Sequence, residues 1–469
     1  MSSMPAYKES KLTVVKLGGS VIGYNCENIP LIIKRIKNIR EKDCAGPVVV
    51  VSAPKGITDE ALKIGEKYAN GSKVDLSNLW NPYVEAMNNF MKEPYRSEFK
   101  TELLSCKEKV GNSLGQVVAN KRFVDVNRAR ILGYSGEILA AIAIDYIINS
   151  HELEACHMPL ENWPIVTDKN FENASFLYGD SRERLPYLRE QLEKGKIPVI
   201  GGFIGVTKDG LETTYERGGS DRSAANLGIL LDEAYDVVID FEKDEVVMSA
   251  NPKVVKDRIG VVRNMSYNEV KLAGPFGMSI VDPIAIKDIE TAGLGIKLVV
   301  TNFKNPEYIT TIQKESNNGG DPVKIDTGRE NCAIFEFDKK ARFPLEYHIN
   351  RVKKYYDYVE LTPSPDVARF LFPDSLYFKK NEEELKSLTD INSVSYEFGA
   401  VALIGDKMQE AADVAATAFG AIKGKDITVY GGDLPGPTLI SGRASRILMI
   451  VKNKDVNNCI RIIHNEMKK

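Results

Sequence analysis

The hydrophobic pattern of the first 300 residues alternates short unbroken apolar runs with longer helical stretches. Leu12–Leu17 is a short apolar run carrying Lys16 near its end, followed at once by Gly18-Gly19-Ser20 and a helix predicted from about Asn28 to Lys42. Pro47–Ser52 (P-V-V-V-V-S) is a continuous β-branched run, the pattern of a parallel strand covered on both faces. Residues 60–150 read as mostly helical, with polar breaks near Asn70-Gly71 and Glu93-Pro94. Within them, Gly133-Tyr134-Ser135-Gly136-Glu137 opens a very apolar helix, Ile138–Ile148. Further strands are predicted at Pro164–Asp168, Ile197–Gly205, Ala234–Asp240 and Gly293–Thr301. This alternation predicts an α/β domain over residues 1–305, with a mostly parallel sheet sandwiched by helices.

Asn302–Asp321 is punctuated by Asn, Pro and Gly and reads as a linker. Beyond it, short strands are predicted at Cys332–Phe337, Tyr358–Thr362 and Leu376–Lys379, with helices between. A clearer unit follows: strand Val401–Gly405, helix Glu410–Lys423, strands Ile427–Tyr430 and Arg446–Val451, helix Val456–Met467. The β-α-β-β-α order suits a small ferredoxin-like sandwich, and residues 322–469 are expected to hold two of them. This part carries no catalytic residues of its own and reads as regulatory or oligomerising.

Composition narrows the function class. The 469 residues are 43% hydrophobic and 27% charged, an ordinary soluble balance, and allow two or three domains. A net charge of −3 argues against a nucleic-acid protein that works by bulk electrostatics. The six cysteines form no C-x-x-C pair and the four histidines have no ligand spacing, so reduced thiols and no metal site built from these residues are expected. No unbroken apolar run is long enough to span a membrane, and the first ten residues lack a signal-peptide core; a cytoplasmic protein is expected.

The candidate chemistry gathers at glycine turns. Lys16 beside Gly18-Gly19-Ser20 forms a strand, glycine turn and helix, which presents backbone N–H groups to phosphate, although the Walker A spacing is missing. Glu216–Ala225 (E-R-G-G-S-D-R-S-A-A) opens a helix running to about Leu231, with Ser220 or Asp221 as its cap and Arg217 offering a fork for a carboxylate or phosphate. Ser52 and Thr58 stand in a loop after a strand, where α/β sheets bind ligands. Glu137 lies in the first turn of its helix. Each stretch by itself also reads as a plain turn or cap.

Taken together and in order, these stretches resemble aspartate kinase, the aspartokinase branch of the amino-acid kinase superfamily. Lys16-Leu17-Gly18-Gly19-Ser20 resembles its K-F-G-G-T, and Val50-Val51-Ser52-Ala53 through Gly56-Ile57-Thr58 its V-V-S-A…G-V-T. Gly136-Glu137, Ile165-Val166-Thr167-Asp168, Asn170-Phe171, Gly202-Phe203-Ile204-Gly205, Thr213-Thr214 and Arg217–Asp221 match further motifs, and the C-terminal part resembles tandem ACT domains. The resemblance implies phosphorylation of the β-carboxylate of L-aspartate by ATP with Mg2+, giving 4-phospho-L-aspartate, the first step toward lysine, threonine and methionine. It implies Lys16 and Asp221 as catalytic residues, and Ser52, Thr58, Glu137, Phe203 and Arg217 as the amino-acid pocket. Gly18, Gly19, Ser20, Gly218, Gly219, Ser220, Glu242, Lys243, Met248 and Lys253 would bind the nucleotide. An amino-acid effector at the ACT domains and a homodimer or higher homo-oligomer are also implied.

The nucleotide side departs from the family pattern. Where aspartate kinases carry T-D-V-D-G-V-Y-T-x-D-P-R, this chain has Glu242-Lys243 for the Thr-Asp pair, Val246 for the Gly and Asn251-Pro252-Lys253 for D-P-R. In the family's F-G-A-K-V-L-H-P segment, Ser279 replaces a lysine and Asp282 stands before Pro283. Lys243 and Lys253 are candidates for replacement charge. Two other readings stay open: a degenerate paralogue that binds an amino acid and regulates a partner, or an amino-acid kinase of different substrate.

Overall fold

A computed structural model describes residues 10–43, 45–216, 218–278, 280–316, 322–352, 358–361, 366–406, 408, 413–433 and 446–469. Its contacts separate the chain into two compact units: residues up to Val246 with Val281–Gln313, and Val247–Ile280 with Lys314–Lys469. The segment Val247–Ile280, which the hydrophobic pattern placed in the first domain, groups instead with the C-terminal part. Ala250 and Val255 are fully buried there, against Val401, Leu403 and Met449.

The first unit is built on strands β1 (Lys11–Leu17), β2 (Ala45–Val51), β3 (Ala155–His157) and β4 (Ile197–Gly201). A short antiparallel hairpin follows, β5 (Ile204–Val206) and β6 (Glu212–Thr214), then β7 (Asp236–Lys243). After a short strand of the second unit, β8 (Asn264–Ser266), come β9 (Lys297–Asn302) and β10 (Ile309–Gln313). In the first unit the strands lie in the order β3-β4-β2-β1-β7-β9-β10, all parallel except β10 on β9. β1 is buried at every position after Lys11, as a strand covered on both faces must be. β10 corrects the reading of Asn302–Asp321 as a linker: its I-T-T-I-Q sequence is a β-branched strand hidden among turn residues. Pro164–Asp168 forms only isolated bridges at Val166 and Thr167.

Register is what gathers the site. Leu17 pairs with Val51 and with Glu242, and Val51 pairs with Gly201. The residues that follow, Gly18, Ser52, Gly202 and Lys243, therefore emerge together at the carboxyl ends of adjacent parallel strands, where open α/β sheets bind ligands. The helices of this unit are α1 (Gly19–Ile22), α2 (Ile29–Arg40), α3 (Ile57–Ala69), α4 (Ser77–Phe90), α5 (Tyr95–Asn120), α6 (Asp125–Ser135), α7 (Glu137–Ser150), α8 (Tyr178–Glu183), α9 (Leu185–Glu193) and α10 (Gly219–Leu231). α7 packs along β3 and β4, and α10 along β1 and β7. Asp125–Ser150 has the length and apolarity of a membrane span, which inspection of apolar runs alone did not suggest. It is interior: 94% of its most apolar window is buried.

The second unit contains α11 (Tyr267–Ala273), while α12 (Pro283–Thr291) returns the chain to the first. Strands β11 (Ile325–Arg329), β12 (Ala333–Asp338), β13 (Val359–Leu361), β14 (Val367–Phe372), β15 (Asn392–Ser395), β16 (Phe398–Ile404), β17 (Gly431–Asp433) and β18 (Arg446–Lys452) then form two antiparallel four-stranded sheets. Their orders are β11-β16-β18-β17 and β13-β14-β12-β15. Helices α13 (Arg342–Tyr347) and α14 (Ser375–Lys386) accompany the middle sheet, and α15 (Val414–Ile422) and α16 (Val456–Met467) the other. These are the two small sandwiches expected, with corrections. The strand predicted at Leu376–Lys379 is the start of α14: Asp374 caps it by accepting from the Leu376 N–H, and Phe378, Asn381 and Leu385 form its buried face. Ile427–Tyr430 is not a strand; β17 begins at Gly431. β11, the first strand of this region, pairs with β16 and belongs to the last sandwich.

Candidate active site

Two helical turns and two strand ends meet around one carboxylate. Lys16, near the end of β1, is 7% exposed, and its Nζ lies 2.9 Å from Asp221 Oδ1. Asp221 is the third residue of α10. Neither Ser220 nor Asp221 caps that helix, contrary to expectation; the N-cap is Gly218, in the left-handed region at φ 79°. A Cβ on Gly218 would lie 1.9 Å from Asp282 Oδ2, so no other residue fits without displacing Asp282. Gly19 is needed for close approach in the same way: a Cβ there would lie 2.7 Å from the Ala53 carbonyl oxygen. Asp221 is thus released from capping to face the strand ends, while the helix dipole favours its charge.

Three donors surround Asp221: Lys16, Lys243 Nζ at 3.7 Å from Oδ2, and the backbone N–H of Asp282 at 3.1 Å from Oδ2. Burial alone would raise its pKa; the two ammonium groups outweigh this and hold it at about 2. Lys243 is shifted downward, by burial and by Lys16 against the pull of Asp221. The Asp282 carboxyl is pushed up to about 7 by burial and by Asp221. Its Oδ1 caps α12, accepting from Ile284 and Ala285 N–H.

Glu242 was expected to bind nucleotide, and its side chain points the other way. It is completely buried, and its carboxylate pairs with Arg35 of α2, which also reaches Asp240 at 2.6 Å. The reason is the period of a strand: adjacent residues point to opposite faces, so Lys243 can reach Asp221 only if Glu242 turns inward. Burial and neighbouring Asp240 raise the Glu242 pKa to about 8 against the pull of Arg35. Ser20 lies nearby, its hydroxyl donating to Asp244 at 3.2 Å.

The other half of the site centres on Glu137, the first residue of α7 and 4% exposed. Backbone N–H groups of Glu137 itself and of Ala53 hydrogen-bond its carboxylate, yet burial raises its pKa to about 7. Its Oε2 is buried without a hydrogen-bond partner. Gly201 brings β4 against this helix start: a Cβ would meet the Glu137 carbonyl at 2.7 Å. Ser52 is half-buried just after β2, its N–H donating to the Leu17 carbonyl at 3.0 Å. Thr58, also half-buried, is the second residue of α3, which starts after Gly56 at φ 90°. Phe203 is a non-glycine at φ 65°, held there by its N–H to Ser223 Oγ and its carbonyl accepting from Tyr215 N–H. It abuts Gly219, where a Cβ would lie 2.7 Å from the Phe203 ring.

The structure therefore brings together Lys16, Gly18, Gly19, Ser20, Ser52, Glu137, Phe203, Gly218, Gly219, Ser220, Asp221 and Lys243, with Thr58 on the adjoining helix. Arg217 lies outside the described residues, as does Ser279. Met248 and Lys253 belong to the second unit: Met248 bridges to Val261, and Lys253 is exposed on a turn. Arg35 carried no expectation from the sequence, and Asp282 stood out only as the residue before Pro283. Asp282-Pro283 is legible as a helix start, but its contact with Asp221, 61 residues away in the chain, is not.

Among the described residues no three His, Cys, Asp or Glu side chains group to hold a metal ion. Magnesium carried on a nucleotide takes most of its oxygens from phosphates and water and needs no such cluster, and the nearest buried carboxylate, Asp221, faces two ammonium groups and an N–H.

A model described as the amino acid kinase family matches residues 11–302. An aspartokinase of Helicobacter pylori (strain ATCC 700392 / 26695) is 23% identical over 483 residues, covering 97% of this chain and 98% of that protein. Aspartokinase 3 of Bacillus subtilis (strain 168) is 24% identical over 334 residues, 69% of this chain and 68% of that one. Among solved structures, E. coli aspartokinase III in complex with aspartate and ADP (R-state) has the same fold, with a TM-score of 0.76 at 18% identity, over 97% of this chain and 99% of that one. Its complex with lysine and aspartate (T-state) gives 0.70, at the same identity and coverage.

Proposed function

This chain belongs to the amino acid kinase family, and on that premise we propose that it is an aspartate kinase, transferring the γ-phosphoryl group of ATP to the β-carboxylate of L-aspartate. The observation that carries the reading is the buried Lys16–Asp221 pair, 2.9 Å apart, at the carboxyl edge of the parallel sheet beside the half-satisfied Glu137. A β-carboxylate oxygen attacks the γ-phosphorus; the new P–O bond forms as the bond to the bridging β,γ-oxygen breaks, and ADP leaves with that electron pair. The carboxylate is already a nucleophile and needs no general base. Catalysis is then positioning plus charge stabilisation. Lys16 neutralises the migrating group, and Asp221 holds Lys16 in place. Glu137 takes the substrate ammonium on its free oxygen, and Arg217 takes the α-carboxylate. Ser52, Thr58 and Phe203 line the pocket. The two sandwiches of the second unit read as ACT-type modules that bind an amino-acid effector and pair subunits.

Purified protein given aspartate, ATP and magnesium should form an acyl phosphate trapped by hydroxylamine. Lys16→Ala and Asp221→Ala should each lower kcat about a hundredfold or more, the usual cost of one pre-organised charge contact. Near-normal turnover in either variant refutes these roles. Aspartate binding with no hydroxamate from any nucleoside triphosphate would make the chain an amino-acid-binding regulator instead.

A further inference from the structure

The first turn of α10 sends two neighbouring charges to different sides of the helix. Consecutive helical residues project about 100° apart. Asp221 faces Lys16 and Lys243 at the strand ends. Arg222 faces α12 and Tyr215 instead, and is 7% exposed. Its Nε lies 3.7 Å from Asp288 Oδ2, and its guanidinium stands 4.3 Å from the centre of the Tyr215 ring. It also draws down the Asp282 carboxyl, which burial and Asp221 raise. Asp288 is raised by burial and drawn down by Arg222 and by exposed Lys287.

Each arm of Arg222 leads back to one half of the site. Asp288 stands farther along α12 than Asp282, the N-cap whose N–H holds Asp221. Arg222 and Asp221 therefore tie α12 to α10 at two places, and a roll of α12 would carry the Asp282 N–H off Asp221. The other arm is Tyr215, which is 1% exposed. Its N–H donates to the Phe203 carbonyl at 2.9 Å, and its hydroxyl accepts from Asn226 Nδ2 of α10 at 2.6 Å. The guanidinium on the face of this ring is a cation–π contact out of water.

We propose that Arg222 is a positioning residue that couples the two halves of the site. Through Asp288 it fixes α12, and so Asp221 and the Lys16 that Asp221 holds; through Tyr215 it fixes Phe203. The proposal rests on the kinase reading for the reaction it serves.

Two conservative variants each cut one arm. Asp288→Asn removes the charge on α12, so kcat should fall about tenfold while the aspartate KM stays within about twofold of wild type. Arg222→Lys keeps the charge and loses the planar face, so the aspartate KM should rise about fivefold while kcat stays within about twofold. Arg222→Met should show both changes, and adding Asp288→Asn to it should lower kcat no further. Hydroxamate formation gives the rates, and melting curves report the folded fraction. Lower melting points with kcat and KM unchanged, or kcat losses that multiply in the double variant, overturn the proposal. If the wild type forms no hydroxamate, the kinase reading fails and calorimetry scores the proposal. Asp288→Asn should then weaken ADP binding alone and Arg222→Lys aspartate binding alone; equal or absent effects overturn it. A wild-type chain that binds neither ligand overturns both.

Discussion

Single side chains in the site are tuned in opposite directions by near-identical burial. Asp221 and Glu137 are 6% and 4% exposed, yet the first is held at about 2 and the second raised to about 7. The difference is charge: two ammonium groups stand beside Asp221, while burial dominates at Glu137, where Lys16 acts only weakly. A buried carboxyl short of partners is suited to receive a cation, and this gives a pH signature. The substrate ammonium needs ionised Glu137, so aspartate affinity should climb as pH rises through about 7. Glu137→Gln should abolish both the affinity and this dependence, as titration at several pH values would reveal. The stability sign is opposite. An acid whose pKa is higher folded than unfolded opposes folding once ionised, so wild-type stability falls between about pH 4.3 and 7 and stays lower above. Glu137→Gln should therefore melt higher than wild type at pH 8 and no higher at pH 4. A lower melting point at pH 8 would mean that Glu137 is a structural anchor.

At the scale of elements, the start of α10 is a three-way junction in which Gly218 is pressed against Asp282 while the Asp282 N–H holds Asp221. Gly218→Ala should cost stability twice, through left-handed strain of about 1–2 kcal/mol and through displacement of Asp282. It should also lower kcat at least tenfold, because Asp221 loses its fixed position. Gly210→Ala is the control. Gly210 has a similar φ of 81° with no neighbouring atom within 4 Å of an added Cβ, so only the strain should appear and activity should persist. Denaturant unfolding and hydroxamate assays on both variants separate the two effects. Equal activity losses would show that the Asp282 contact is immaterial.

The whole molecule is discontinuous, and this governs how it can be cut. Val247–Ile280 interrupts the first unit, but its Ala250 and Val255 are buried with residues of β16, β18 and α16. The Asp326 N–H donates to the Ser249 carbonyl at 2.8 Å, and His464 lies 2.7 Å from Asp326 and 3.2 Å from the Arg258 carbonyl. A chain ended after Gln313 keeps this segment and loses the β16, β18 and α16 residues that bury its Ala250 and Val255. We expect such a truncation to expose apolar surface, to be recovered mainly as aggregate and to show no cooperative melt like that of the full chain. A soluble, cooperatively folding 1–313 fragment would mean that the segment has a second resting place.

What the sequence determined by itself was local. Unbroken apolar runs ending at Leu17, Val51 and Gly201 specify strands covered on both faces, and glycines mark where backbones approach closely, because both constraints act within a few residues. The ordered set of motifs was legible for the same reason, and so was most of the candidate site. Long-range geometry was decided only on folding. Strand register sets Lys16, Ser52, Gly202 and Lys243 along one edge, and the period of β7 sends Glu242 to Arg35 and Lys243 to Asp221. Asp282 reaches Asp221 from another element, and β11 crosses to the last sandwich. None of these follows from spacing along the chain, because each depends on which distant surface a side chain or strand edge meets. Burial there then set how strongly each charge was held.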